Sequence, residues 1–94
     1  TGTGVLNPIR EICQLAHDYD AIFVVDTTSS LAMIPIDMEE DNIDFCMASA
    51  QKGIMGMTGL SFIIGNEEEI CKSKNYPKRS YYCNLYLQYD YFKL

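Results

Sequence analysis

The sequence predicts an α/β fold in which a mostly parallel sheet carries helices on both faces. Two short apolar runs, residues 21–25 and 43–48, have the length and the β-branched or aromatic content of buried strands. Segments that favour helices lie before, between and after these runs. Because helices join parallel strands in such folds, we expect the ligand site at the carboxyl ends of the strands.

The first helix is predicted at residues 8–19. Asn7 can cap it, and Pro8 suits its first turn because a backbone N–H is not needed there. Its apolar residues recur at helical spacing and form one face: Ile9, Ile12, Cys13, Leu15 and Ala16. His17 lies near the end of this helix, where we expect a helix-terminus role rather than a catalytic one.

The strand at residues 21–25 is continuously apolar, which predicts a central strand covered on both faces and ending at Asp26. Residues 27–32 are polar and small, and Pro35 interrupts the chain. A short helix with acidic residues in its first turn is predicted to begin at Asp37. Together these segments form the crossover to the second strand, residues 43–48.

A third strand is predicted at residues 60–64. About ten residues separate it from the second strand, too few for a helical crossover, so we expect the third strand to run antiparallel. Asn66 and the acidic residues after it, Glu67, Glu68 and Glu69, predict the first turn of another helix. The aromatic run that ends at Leu94 is interpreted as an unfinished helix.

Composition narrows the class of protein. Hydrophobic residues make up 48% of the 94, as in a folded interior, but the length is less than one typical domain. We therefore expect residues 1–94 to be a fragment without a complete domain boundary. The net charge of -6 argues against a nucleic-acid partner, and no apolar stretch approaches the roughly 20 residues of a membrane span. A soluble cytoplasmic protein is expected.

The four cysteines, Cys13, Cys46, Cys71 and Cys83, form no CxxC pair, and their spacing fits neither a zinc site nor a compact disulfide framework. We expect no metal site. Cys13 and Cys46 are predicted to act as small core hydrophobes, and free thiols suit a reducing compartment.

The candidate site consists of one carboxylate and one amine, Asp26 after the first strand and Lys52 after the second. Neighbouring strands lie about 4.8 Å apart, so we expect both groups to face one cavity roughly 5 to 10 Å from each other, with Thr28 at its border. An enzyme using pyridoxal phosphate needs this pair: the lysine forms a Schiff base with the cofactor, and the aspartate keeps the pyridine nitrogen protonated.

Small residues surround Lys52, unlike an ordinary solvated lysine. Ala48, Ser49 and Ala50 precede it, and glycines follow at positions 53, 56 and 59. This pattern withholds side-chain bulk where a ligand or another backbone could approach. The glycines match neither GxGxxG nor the phosphate-binding GxxxxGK, because the lysine precedes them.

Three segments carry a resemblance to a known family: TGVLNPIREI, VVDTTSSLAMIPIDMEEDNIDF and SAQKGIMGMTGLSFII. In this succession the chain resembles the class V aminotransferases, and within them the 2-aminoethylphosphonate:pyruvate transaminases. The resemblance implies the fold type I large domain of the pyridoxal phosphate transferases.

The resemblance also implies residue roles. Lys52 would hold pyridoxal 5'-phosphate as a Schiff base and carry the catalytic proton, and Asp26 would pair with the pyridinium. Thr28 would lie against the ring, Gln51 would hydrogen-bond the phosphate, and Thr3, in the loop that starts at Thr1, would donate to the ring hydroxyl.

The implied reaction moves an amino group from 2-aminoethylphosphonate to pyruvate, giving phosphonoacetaldehyde and alanine. The implied partners are a small-molecule amino donor, a 2-oxo acid acceptor and, in the full-length protein, a second copy in a homodimer. The residue before the lysine, Gln51, is more similar to that of the alanine:glyoxylate and serine:pyruvate aminotransferases, and these activities remain an alternative. A degenerate scaffold domain is the non-enzyme alternative, and the 94 residues alone are expected to be inactive.

Overall fold

A computed structural model describes residues 2–93 of the chain. The first part contains helix α1 (Ile9–Asp18) and strands β1 (Val24–Asp26), β2 (Phe45–Ser49) and β3 (Ser61–Gly65). The second part contains α2 (Glu67–Lys72), a 3-10 turn (Ser73–Asn75) and α3 (Leu85–Phe92). The chain divides between Ile64 and Gly65 into two compact units.

The strands form one sheet in the order β1-β2-β3. β1 and β2 are parallel, with Val24 opposite Phe45 and Asp26 opposite Met47. The backbone N–H of Ala50, after β2, donates to the carbonyl of Leu60, before β3, at 3.0 Å. Because this bond joins the end of one strand to the start of the next, β3 runs antiparallel. The predicted α/β class and the predicted strand order and directions are confirmed.

The buried core of the first unit follows β2. Cys46 and Ala48 point inward from the strand, and Ile43 and Ala50 flank it. Cys13 is the buried residue of α1, and its thiol donates to the carbonyl of Asn42 at 3.0 Å. The prediction that Cys13 and Cys46 act as core residues is confirmed, while Cys71 and Cys83 are exposed free thiols.

Two local predictions around helices are wrong. The cap of α1 is Pro8, without a side-chain capping bond, and Asn7 contributes its carbonyl to the N–H of Ile9 instead. The helix predicted from Asp37 is a turn. The Asp37 carboxylate accepts from the N–H groups of Glu39 and Glu40, both at 2.9 Å, as a helix cap does. The segment ends after one turn because Asn42 has a φ of 55°, the left-handed conformation.

The first strand is shorter and more open than predicted. It begins at Val24, and neither Ile22 nor Val24 is covered, with 52% and 54% of their surfaces exposed. Among the described strands β1 has a neighbour on one side only, so its other edge is unpaired. Val24 is exposed and Val25 is half-buried, whereas Cys46 and Ala48 of β2 are buried.

The second unit begins with the predicted acidic helix. Asn66 caps α2 by accepting from the N–H of Glu68, and Lys72 pairs with Glu68 and Glu69 one turn earlier. Asn84 caps α3 in the same way, through the N–H of Leu87. Within residues 2–93, no helix is long and apolar enough to cross a membrane.

Candidate active site

Asp26 is the last residue of β1, and its neighbour Thr28 holds its carboxylate. The N–H of Thr28 donates to Oδ1 of Asp26 at 2.9 Å. Hydrogen bonds from the hydroxyl and the N–H of Thr28 lower the pKa of Asp26, and the positive charge of Lys52 lowers it further. An exposed carboxylate with a lowered pKa stays ionised at neutral pH.

Lys52 lies in a tight turn at the carboxyl end of β2. The N–H of Gly56 donates to the carbonyl of Ala50 at 2.7 Å, and the N–H of Met55 donates to the carbonyl of Lys52 at 2.8 Å. Met55 has a φ of 56°, the left-handed conformation that lets the chain reverse. The turn leaves Lys52 exposed and anchors its backbone on both sides.

Gly53 shows why side-chain bulk is withheld after the lysine. A Cβ at this position would lie 2.2 Å from the carbonyl oxygen of Leu31 and 3.0 Å from Cγ of Met33. The turn that carries Lys52 is therefore packed against the segment that follows Asp26. The predicted close approach of another backbone is confirmed here, and it holds Lys52 beside the end of β1.

Glycine is needed at the other two positions, Gly56 and Gly59, for different reasons. A Cβ at Gly56 would lie 3.1 Å from the side chain of Ala50, so this glycine also permits a close approach. Gly59 has open space around it but a φ of 95°, a conformation that L side chains rarely adopt. Gly59 is therefore required by the backbone rather than by a neighbour.

A cavity of about 360 Å³ adjoins Asp26. Asp26, Thr27, Ser29 and Ser30 line it, together with apolar residues of the α1 approach and of the 34–36 segment, but Lys52 and Thr28 do not. The expectation that all three site residues border one cavity is thus not met by this cavity. Instead, Thr28 is turned to the Asp26 carboxylate, and Lys52 acts on that carboxylate through its charge.

The same cavity contains an ion pair that the sequence did not reveal. Arg10 donates to Oδ1 of Asp41 from Nε at 2.7 Å and from Nη2 at 2.5 Å. Asp41 is buried, and the hydrogen bond from the Arg10 guanidinium is the main cause of the lowered pKa of Asp41. The Arg10 side chain is largely exposed, but its guanidinium is paired with a structural carboxylate.

Two predicted cofactor residues lie at the surface. Thr3 is in an exposed turn, whose neighbour Thr1 lies outside the described residues, and Gln51 is exposed next to Lys52. Their roles remain predictions. His17 bonds to Asp44 through Nε2 and to Asn42 through Nδ1, both at 2.8 Å. Both ring nitrogens are therefore engaged in tying α1 to the segment before β2.

From the sequence, Thr27 was predicted only to be part of a polar loop, without a role of its own. Its side chain is 1% exposed and reaches Cys46 and Met47 of β2. The sequence contains no signal that separates it from Thr28, because both are threonines after a strand. The difference appears only when β1 and β2 are paired.

These residues define a recognisable class of site. An ionised carboxylate and an amine lie at the carboxyl ends of two adjacent parallel strands in an α/β sheet. An ionised carboxylate oriented by Thr28 can keep a pyridine nitrogen protonated, and an exposed amine can react with an aldehyde. The residues present therefore fit pyridoxal phosphate.

Comparison with known proteins gives the family. The family model described as aminotransferase class-V matches residues 1–77, and the chain belongs to this family. It is 47% identical over 90 residues to the bifunctional phosphonoacetaldehyde hydrolase/aminoethylphosphonate transaminase of Clostridioides difficile, covering 96% of this chain and 14% of the relative. It is 43% identical over 91 residues to the 2-aminoethylphosphonate--pyruvate transaminase of Klebsiella pneumoniae, covering 95% of this chain and 24% of the relative. The chain thus spans a quarter or less of these relatives.

Solved structures agree with the fold. The ureidoglycine-glyoxylate aminotransferase of Bacillus subtilis superposes with a TM-score of 0.82 at 27% identity, over 95% of this chain and 24% of that one. The alanine--glyoxylate aminotransferase of a Nostoc species superposes with a TM-score of 0.79 at 24% identity, over the same shares. The predicted family and the predicted fold class are confirmed.

Proposed function

We propose that these residues are part of a longer pyridoxal phosphate-dependent aminotransferase that moves the amino group of 2-aminoethylphosphonate to pyruvate. The observation that carries the proposal is the Asp26 carboxylate, which accepts from the N–H of Thr28 at the end of β1, with Lys52 just after the adjacent parallel strand β2. The names of the relatives at 43% and 47% identity support the amino donor. The products would be phosphonoacetaldehyde and alanine.

In this proposal pyridoxal phosphate supplies an electron-accepting ring. Lys52 attaches it through its amine and moves a proton to or from the substrate carbon that bears nitrogen. Asp26 would keep the proton on the pyridine nitrogen, and Thr28 would orient the Asp26 carboxylate. Thr3 and Gln51 are proposed to hydrogen-bond the ring hydroxyl and the phosphate.

The size of the relatives supports a longer enzyme. The match covers 24% of the Klebsiella relative, so we expect a native polypeptide about four times as long as this chain. The resemblance also supports a cytoplasmic homodimer. Mass spectrometry of the native protein tests the length, and a native polypeptide of 94 residues would contradict it. Sedimentation of the purified enzyme tests the homodimer, and a monomer would contradict that.

Activity is tested with the full-length enzyme and a panel of amino donors and acceptors. We expect alanine and phosphonoacetaldehyde from 2-aminoethylphosphonate and pyruvate, and faster turnover of this pair than of alanine with glyoxylate. Turnover restricted to glyoxylate as acceptor would instead favour the activity suggested by the Bacillus subtilis structure. Borohydride reduction followed by peptide mass spectrometry should place a pyridoxyl group on Lys52, and a different lysine would refute the site.

A further inference from the structure

Thr27 connects the end of β1 to β2 more closely than any backbone pairing requires. Its N–H donates to the carbonyl of Met47 at 2.9 Å. Its hydroxyl lies 3.1 Å from the same carbonyl and 3.0 Å from the thiol sulfur of Cys46. Both Thr27 and Cys46 are buried, with 1% of each surface exposed.

The hydroxyl proton has a definite place in this arrangement. A carbonyl can only accept, so the Thr27 hydroxyl donates to Met47, and the Cys46 thiol then donates to the hydroxyl oxygen. Buried groups of this kind are costly to leave without partners, so the rotation of the Thr27 side chain is determined. The position of the backbone at residue 27 is determined with it.

Asp26 and Thr28 lie on either side of this anchored residue. In an extended segment, successive side chains point to opposite sides. Asp26, the last residue of β1, is therefore exposed where Thr27 is buried. The carbonyl of Thr27 accepts from the N–H groups of Ser30 and Leu31, so a turn begins at Thr27, and in it the Thr28 N–H meets the Asp26 carboxylate. A displacement at residue 27 would change both members of this contact at once.

We propose that Thr27 is a positioning residue, which sets the direction of the Asp26 carboxylate toward the pyridine nitrogen of the cofactor. This role rests on the proposed function. Thr27 touches neither substrate nor cofactor in it, and it acts through Asp26 alone. The Cys46 thiol contributes as the second partner of the Thr27 hydroxyl.

The experiment measures the dissociation constant of pyridoxal phosphate for the full-length apoenzyme. Thr27→Val keeps the shape of the side chain and removes its hydroxyl, and the matched variant Thr27→Ser keeps the hydroxyl. We expect the constant to rise about tenfold in Thr27→Val and to stay within about twofold in Thr27→Ser, since tenfold corresponds to about one hydrogen bond.

A double-mutant cycle with Asp26→Asn separates positioning from general stability. If Thr27 acts through the carboxylate, Thr27→Val should change the constant by less than about twofold in the Asp26→Asn background. An equal tenfold rise in both backgrounds would mean a merely structural role and would overturn the inference. An unchanged constant in Thr27→Val, with weakened binding in Asp26→Asn, would also overturn it.

Two further outcomes are informative. If Asp26→Asn binds the cofactor as tightly as the native enzyme, the proposed function fails at its central residue and the positioning role fails with it. If Thr27→Val does not fold, Cys46→Ala replaces it, because this variant removes only the thiol donor. It should weaken binding about threefold, and only while Asp26 is present; equal weakening without Asp26 would refute the inference.

Discussion

Replacing Gly53 by alanine tests whether the contact beside Lys52 positions the lysine. The new Cβ would lie 2.2 Å from the carbonyl oxygen of Leu31, a separation that real Cβ atoms essentially never show. A backbone carbonyl cannot rotate away as a side chain can. The turn that carries Lys52 and the segment at Leu31 must therefore move apart by roughly 1 Å to relieve the contact.

Two opposing effects determine how much Gly53→Ala changes the free energy of unfolding. Overpacking of this kind costs about 1 to 3 kcal/mol. Replacing glycine also restricts the unfolded chain and returns about 0.4 to 1 kcal/mol where the backbone permits alanine. We expect Gly53→Ala to lower the free energy of unfolding by about 1 to 2 kcal/mol. A 1 Å displacement of a reacting group can cost about a hundredfold in rate, so kcat/KM should fall by about that factor.

Urea unfolding and steady-state transamination of the full-length enzyme measure both effects. Gly2→Ala is the matched control for stability, because a Cβ at Gly2 would meet nothing within 4 Å. Its unfolding midpoint should equal or slightly exceed that of the native enzyme, because alanine at this position also restricts the unfolded chain. If Gly53→Ala has native stability and native kcat/KM, the contact with Leu31 does not position Lys52, and the reasoning is refuted.

Lys52→Ala should abolish nearly all turnover and the borohydride-trapped pyridoxyl group, because the same amine attaches the cofactor and carries the proton; retained turnover in steady-state assays would contradict this. Asp26→Ala should lower kcat almost as far while leaving the trapped group on Lys52, and a native kcat would contradict its role. The Arg10 guanidinium lowers the pKa of Asp41, so the stability that Asp41 contributes is fully present above its unfolded pKa of about 3.9 and is lost as pH falls through its lower folded pKa. Urea midpoints measured between about pH 5 and pH 2 should therefore fall less steeply in Asp41→Asn, and an identical slope would contradict the ion pair. The 94-residue chain alone should be poorly soluble and inactive, because apolar residues such as Val24 remain exposed along β1; a soluble, active chain in sedimentation and transamination assays would show that the site is complete.

The sequence alone determined the order of the main elements. Continuous apolar runs identified β1 and β2 within a few residues, because β-branched and aromatic residues favour strands. The short connection before β3 determined its antiparallel direction. Asp26 and Lys52 could be placed at one end of the sheet by the same reasoning, since parallel neighbours end at the same edge.

Local competition limited the sequence reasoning elsewhere. The segment after Asp37 has helical composition and Asp37 caps it, but Asn42 has a φ of 55° and limits the segment to one turn. Similarly, Asn7 has the chemistry of a cap, yet the helix begins beyond Pro8. Such outcomes depend on differences of about 1 kcal/mol between alternatives, which composition does not resolve.

Only the tertiary structure decided how the site is held. Gly53 was recognisable as a place of close approach, but its partner is the carbonyl of Leu31, which no side-chain pattern marks. Thr27 and Thr28 are identical in the sequence, yet one is buried against Cys46 and Met47 and the other bonds to Asp26. The pair Gly53 and Leu31 and the pair Thr27 and Cys46 each lie about 20 residues apart along the chain. They become neighbours only when β1 pairs with β2, so strand pairing, rather than local preference, brings them together.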